Sequence, residues 1–356
     1  MDEGTHVTKQ TWTATVSAVL FVVLAAVIAL VPVPYVTWSP GVTYNLFAQT
    51  AQGEDTIKIS GIDTFPTTGQ LRMTTVSVTA PSSTLSLPEV LFSYWLPSRE
   101  VLPRNAVYKP GEGASQITEQ ETQLMDNSQS KAVVAALRQS GVQVTNWPMV
   151  TSVSNSGPSA DVMKPGDLIV AVDGDKTATV ESVTKAISLH NVGDPVVFTV
   201  LRDGVKVRPT VITRSTVNNP KKPIVGLNLD IGYSYSPKVS FAIDPDIGGS
   251  SAGLMFALAI HDRLSSADLV AGRVVAGSGT MDSDGHVGEV GGIQEKLAAA
   301  GRDQASIFLV PVNNCSDIIE VPARVRVVPV DSLAGATQAL QQLADTAQAA
   351  SVPGCP

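Results

Sequence analysis

The run Asp244-Pro-Asp-Ile-Gly-Gly-Ser-Ser-Ala-Gly-Leu-Met-Phe-Ala-Leu-Ala-Ile260 carries a Gly-rich turn straight into an apolar helical stretch, which puts Ser251 at a helix N-terminus. Free backbone N–H groups and the positive end of the helix dipole lie there, which is the setting an oxyanion needs. A serine at a helix start is also an ordinary cap, so this turn alone leaves both readings open. The second feature is Gly285-His-Val-Gly-Glu-Val-Gly-Gly-Ile-Gln-Glu-Lys-Leu-Ala-Ala-Ala300, where Lys296 falls 296 − 251 = 45 positions downstream in the first turns of an Ala-rich helix. A serine hydroxyl attacks only with a base in hydrogen-bond reach. Lysine can be that base where burial strips water from its ammonium and draws its pKa down from about 10.4. Ile293, Leu297 and the Ala run supply such surroundings, and Glu295 opposes them if it points inward.

Other chemistries fit less well. His261 lies ten residues along the same helix as Ser251, about 15 Å away along the axis, and is out of reach. His286 sits in a Gly-rich loop and reads as a surface residue, while His6 and His190 fall outside this region. No His-Glu-x-x-His or clustered Cys/His spacing is present, so neither a metal nor a cofactor is expected. Cys315 and Cys355 are the two cysteines: one disulfide in an oxidising compartment, two free thiols in a reducing one.

The rest of the 356 residues must position this pair. With 24 basic and 32 acidic residues the net charge is −8, and no Lys/Arg block interrupts it, which argues against a nucleic-acid surface. An apolar fraction of 44% supports real cores, and a charged fraction of only 16% leans towards an exported protein. Residues 14–31 hold no charge, and about 27 Å of helix nearly matches a bilayer core; with flanking aromatics this marks a transmembrane helix over 14–34. Residues 1–13 are then a cytoplasmic N-terminus. A β-rich segment follows over 35–125, including strand-like Gln70–Thr79 and a short apolar helix from Leu87 to Trp95 that Pro97 stops.

From 126 to 215 the chain alternates strands, turns and one helix, Val180 to Leu189, and closes on a hairpin turned at Asp203-Gly204. The string Lys164-Pro-Gly-Asp-Leu-Ile-Val-Ala-Val-Asp-Gly174 resembles PDZ domains of the bacterial protease-associated kind. That resemblance implies peptide capture by strand addition, with the groove including Gly141, Val142, Gln143 and Val144.

The two chemistry-bearing blocks resemble the proteolytic domain of the Lon family of serine proteases. Gly249-Ser250-Ser251-Ala252-Gly253 matches the family's Gly-Pro-Ser-Ala-Gly with Ser250 for Pro, and Gly291-Gly292-Ile293-Gln294-Glu295-Lys296 matches its lysine motif. The resemblance implies Ser251 as nucleophile, Lys296 as base, Gly249, Ser250 and Ala252 as the nucleophile and oxyanion turn, and Ser278 as the hydroxyl that positions the amine. Thr280 is the second choice for that last role. Many family members carry an acid three residues before the serine; here that position is Gly248. No Gly-x-x-x-x-Gly-Lys-Ser/Thr phosphate loop occurs.

The expected fold is therefore α+β: one N-terminal transmembrane helix, a PDZ β-sandwich-like unit, and a Lon-type α+β proteolytic domain over 216–345 followed by a tail at 346–356. In this order the chain resembles the membrane-anchored PDZ–Lon-like proteases of Gram-positive bacteria. The expected function is ATP-independent endopeptidase activity on unfolded or exposed protein and peptide segments, from a single-pass position in the cell membrane with the soluble domains outside the cytoplasm. Homo-oligomer formation is left open. A catalytically silent PDZ scaffold at the membrane is the alternative.

Overall fold

The computed structural model describes residues 8–216 and 219–355. His6 and the first seven residues of the expected N-terminal segment lie outside them. The chain divides into two compact units, one formed by residues 1–140 and 238–356 and the other by 141–237.

In chain order, the first unit begins with helix α1 (Lys9–Leu30), strand β1 (Tyr35–Asn45), strand β2 (Gln70–Val78), helix α2 (Leu87–Tyr94), strand β3 (Glu100–Pro103) and helix α3 (Ala114–Gln139). The second unit holds β4 (Thr145–Val153), β5 (Leu168–Val172), α4 (Val180–Ser188), β6 (Pro195–Arg202), β7 (Val205–Val207) and β8 (Leu227–Ser234). The first unit resumes with α5 (Gly253–Leu264), β9 (Val274–Gly277), α6 (Ile293–Arg302), β10 (Ile307–Pro311), β11 (Arg326–Val330) and α7 (Leu333–Ala344).

Helix α1 is 22 residues long, about 33 Å, mostly polar in its first two turns and apolar from Val16 on apart from Ser17, with a mean hydropathy of 2.6 over its best 18 positions. It is long and apolar enough to cross a bilayer, and none of its residues is buried in protein. It starts at Lys9 and stops at Leu30, earlier at both ends than the expected span of 14–34. The Thr8 hydroxyl accepts from Thr11 N–H at the start, and the chain turns extended at Val31 because Pro32 cannot continue the helix.

Behind the site stands a six-stranded mixed sheet in the order β11-β10-β9-β2-β1-β3. Strands β9, β10 and β11 run parallel and β9 also runs parallel to β2, with Val275 opposite both Ile307 and Leu71. Strand β1 joins β2 and β3 antiparallel. Half of this sheet comes from residues 35–125, so that segment is part of the same body as residues 242–340. Side chains alternate across the sheet. Ala276, Phe308 and Val310 face α6 in one cluster with Ile293, Leu297 and Ala300, while a Cβ on Gly277 would meet Met255 of α5 on the opposite face. Helix α5 is buried from Gly253 to Asp262, because α3 and α7 cover the side turned away from the sheet.

Cys315 and Cys355 form a disulfide with Cα atoms 5.4 Å apart, fastening the tail to the turn after β10.

The second unit has its own core, built by Val150, Ile169, Val172, Val183, Val196, Phe198 and their neighbours. Its sheet runs β7-β6-β5-β4-β8. Asp167 accepts two hydrogen bonds from Arg202, both at 2.7 Å, and one from Lys164 N–H, which locks the turn into β5. The core's last strand, β8, lies beyond residue 215, so the compact unit extends further than the hairpin where the sequence pattern ends.

Candidate active site

Two helices on opposite faces of the sheet begin near the C-terminal end of β9. Helix α5 starts at Gly253, immediately after Ser251 and Ala252. The Ser251 carbonyl accepts from Gly279 N–H at 2.8 Å and from the Ser278 hydroxyl at 2.9 Å, and Leu254 N–H donates to the Gly279 carbonyl at 3.0 Å. The residues following β9 thus hold the Ser251 turn from both sides. Ser278 is fully buried and Ser251 half-buried. Among the described residues the N–H groups of Ser250, Ser251 and Ala252 donate to no protein acceptor. Free donors at a helix start are what an oxyanion site requires.

The turn also rests on α3. Gly249 N–H donates to the Glu121 carbonyl at 3.0 Å, and the Ser128 hydroxyl donates to the Ser250 carbonyl at 3.0 Å. This contact explains the glycines. A Cβ on Gly248 would lie 2.4 Å from the Glu121 Cβ, and Gly249 has φ +91°, a left-handed conformation that side chains resist. Gly248 occupies the place of the acid common in the Lon family because no side chain fits there. A carboxylate is nevertheless present: Glu121 Oε2 would be 3.2 Å from a Cβ on Gly249. It makes no hydrogen bond or ion pair among the described residues. Sequence reasoning missed Glu121, since it lies 251 − 121 = 130 positions before Ser251 in a polar stretch with no apolar period; only the unexplained Gly248 hinted that an acid had to come from elsewhere.

Lys296 stands in the first turn and a half of α6, its N–H bonded to the Gly292 carbonyl at 3.0 Å. Gly292 takes φ +66° at the helix start, and a Cβ there would sit 2.6 Å from Val76 and 3.1 Å from the Trp38 ring. The Gly-Gly pair is what lets α6 approach the sheet so closely. Lys296 is 3% exposed and has no salt bridge among the described residues. Burial brings its pKa down from 10.5 to about 8, with the Glu295 charge pulling the other way. Glu295 is itself buried, and the loss of solvation raises its carboxyl to about 6.

The structure brings Ser251 and Ser278 into direct contact, and it buries Lys296 in the adjoining helix start. No hydrogen bond joins Lys296 Nζ to either serine among the described residues. Ser278 spends its proton on the Ser251 carbonyl, which leaves its lone pairs to receive an amine donor. Thr280 belongs to a separate two-residue strand paired with Gly288. His286 is exposed and bonded to Asp282 at 2.8 Å, which raises its pKa. His261 is buried and bonded to the Ser140 hydroxyl at 2.8 Å, and burial lowers its pKa.

In the second unit, Gly141 is in a turn, and Val142, Gln143 and Val144 lie before β4 outside the strands of the described residues. The open edge belongs to β8 instead. Val150 directs its N–H to Asp167 and its carbonyl to Gly166, so its antiparallel partner Leu229 turns both main-chain groups outward. Ile231 has the same orientation two residues on, but its N–H is taken by Asp230 Oδ1 at 2.8 Å. Helix α4 lies against this strand.

Comparison with known proteins finds two domains in this chain. Residues 126–213 match the model of the PDZ domain, and residues 242–340 match that of the Lon protease (S16) C-terminal proteolytic domain. The Lon protease of Heliobacterium modesticaldum is 40% identical over 78 residues, 22% of this chain and 9% of that protein. The Lon protease of Syntrophomonas wolfei is 33% identical over 105 residues, 29% of this chain and 12% of that protein. The chain thus spans about a tenth of the length of the curated relatives it matches. The PDZ domain of an SdrC-like protein from Listeria monocytogenes aligns over 23% of this chain and 86% of its own, at 25% identity and a TM-score of 0.22. This chain therefore carries a PDZ domain and a Lon-type proteolytic domain.

Proposed function

We propose that this chain, with its PDZ domain and Lon-type serine peptidase domain, is a membrane-anchored endopeptidase that cleaves unfolded or exposed protein segments without ATP. The observation that carries the chemistry is Lys296, buried to 3% exposure with no salt bridge among the described residues, in motif register with a serine at a helix start. A lone buried ammonium is unfavourable, and the site's answer is to lower its pKa until the neutral amine is accessible near pH 8. Neutral Lys296 takes the proton from Ser251 Oγ as the oxygen attacks the scissile carbonyl. The carbonyl oxygen gains negative charge and is received by the free N–H groups at the start of α5. The lysine then gives the proton to the departing amine. A water activated by the same amine hydrolyses the ester on Ser251, releasing the acid and restoring the hydroxyl.

Anchoring by α1 keeps this site at a bilayer, with the soluble part on the extracytoplasmic side. The disulfide supports that side, since such bonds persist where the surroundings are oxidising. ATP independence is supported by a sequence that holds no phosphate-loop motif in its 356 residues. The PDZ unit takes an extended peptide on the outward main-chain groups of Leu229 along β8, rather than at Gly141 to Val144, and so raises the local concentration of substrate. A peptide boronic acid, which forms a reversible bond to a catalytic serine hydroxyl, tests the reading. It should inhibit the wild type, and Ser251→Ala should lose all binding; a Ser251→Ala protein that still binds it would overturn the assignment.

A further inference from the structure

We propose that helix α2 lies in the membrane interface and holds the soluble body against the bilayer through a face of apolar side chains. The inference rests on α1 crossing the membrane. Strand pairing fixes the start of α2 beside the end of α1: Pro32 is opposite Ser86 and Val33 opposite Leu85, and Leu30 is the last residue of α1. Paired strands are about 4.8 Å apart. The two helices also touch directly. If α1 spans the bilayer, α2 has nowhere to be but the boundary where α1 leaves it.

The side chains of α2 suit that place. At 100° per residue, Val90 and Ser93 fall on one side, and both are buried against the protein. The opposite arc of roughly 160° carries Leu87, Leu91, Phe92, Tyr94 and Trp95, with exposures from 36% for Leu87 to 75% for Trp95. Pro88 completes it, and Glu89, tied back to Ser86 in the helix cap, lies outside it. Five large apolar residues side by side form a patch that water does not favour and that interfaces do. Tyr and Trp settle where hydrocarbon meets headgroups. Arg99, 5.8 Å from the Phe92 ring, adds a cation at the edge of the patch for lipid phosphate.

The test uses the full chain in vesicles of phosphatidylcholine and phosphatidylglycerol, with the native disulfide left oxidised. Single cysteines at Phe92, Trp95, Glu89 and Ala25 each carry an environment-sensitive fluorophore, and the lipids carry bromine at a shallow acyl position. Labels at Phe92 and Trp95 should lose most of their fluorescence, and the label at Glu89 much less. If the Ala25 label is quenched but those at Phe92 and Trp95 are not, the interface role of α2 is wrong while the anchor stands. If the Ala25 label is also untouched, the anchor fails and this inference with it. Energy transfer between copies labelled at Phe92, without lipid quenching, would give the face to a second copy and overturn the proposal.

Discussion

At the scale of single residues, the role proposed for Lys296 ties the chemistry to pH. Its pKa of about 8 requires peptide turnover to rise with pH and level off above about 8, because only the neutral amine accepts the serine proton. The same shift acts on stability. The unfolded lysine titrates near 10.5, so between about 8 and 10.5 the unfolded chain holds a proton that the native chain lacks, and stability rises with pH through that window. Below it the buried ammonium is a full penalty. Lys296→Met should therefore abolish turnover and raise thermal stability at pH 7 by about 1–3 kcal/mol. Calorimetry and a peptide assay check both, and a destabilised mutant with turnover intact would make Lys296 structural. Glu121 acts at the same scale. Its unpaired carboxylate beside Gly249 should favour a Lys or Arg near the scissile bond, and Glu121→Gln should lower kcat/KM for such peptides by about two- to fivefold more than for neutral ones. Cleavage of a charge-varied peptide set decides this. Ser251 and Lys296 were legible because each sits in a short contiguous motif; Glu121 was not, because only the packing of α3 on the turn brings it there.

At the scale of elements, the disulfide closes a loop of 40 residues over β11 and α7. Replacing both cysteines by serine should lower stability by about 2–4 kcal/mol, read from denaturant midpoints, and leave peptide turnover near wild type at low temperature. A mutant as stable as the parent would show that β11 and α7 hold the tail without the bond. Elements with a strong local pattern were readable: β2 covers the strand-like Gln70 to Val78, and α2 ends where Pro97 follows. Four elements were not readable in full. Strands β1 and β2 seemed to belong to a separate β-rich segment, yet β2 pairs with β9, some 200 positions away, and a strand's own pattern says nothing about its partner. Helix α3 was not legible in its first half, where Ile117, Leu124 and Met125 are the large apolar residues in an otherwise polar run. Strand β8 lies after the hairpin that seemed to close its unit, and only its register with β4 reveals it.

At the scale of the whole molecule, the unit at 141–237 is an insertion: the chain enters it from α3 and returns to the strand Lys238–Phe241 of the first unit. Its removal must spare residues 126–140, since Ser128 supports Ser250. Replacing 141–237 by a flexible linker should raise KM for a protein substrate and leave kcat for a short peptide almost unchanged. Unchanged KM would remove the delivery role from β8. The most direct measurement of the central claim is hydrolysis of an unfolded protein by the full chain in vesicles, without nucleotide, at pH 8.5. Wild type should cleave it, while Ser251→Ala and Lys296→Ala each lose roughly 10²-fold or more. Near-wild-type cleavage by either mutant would contradict the Ser251–Lys296 assignment.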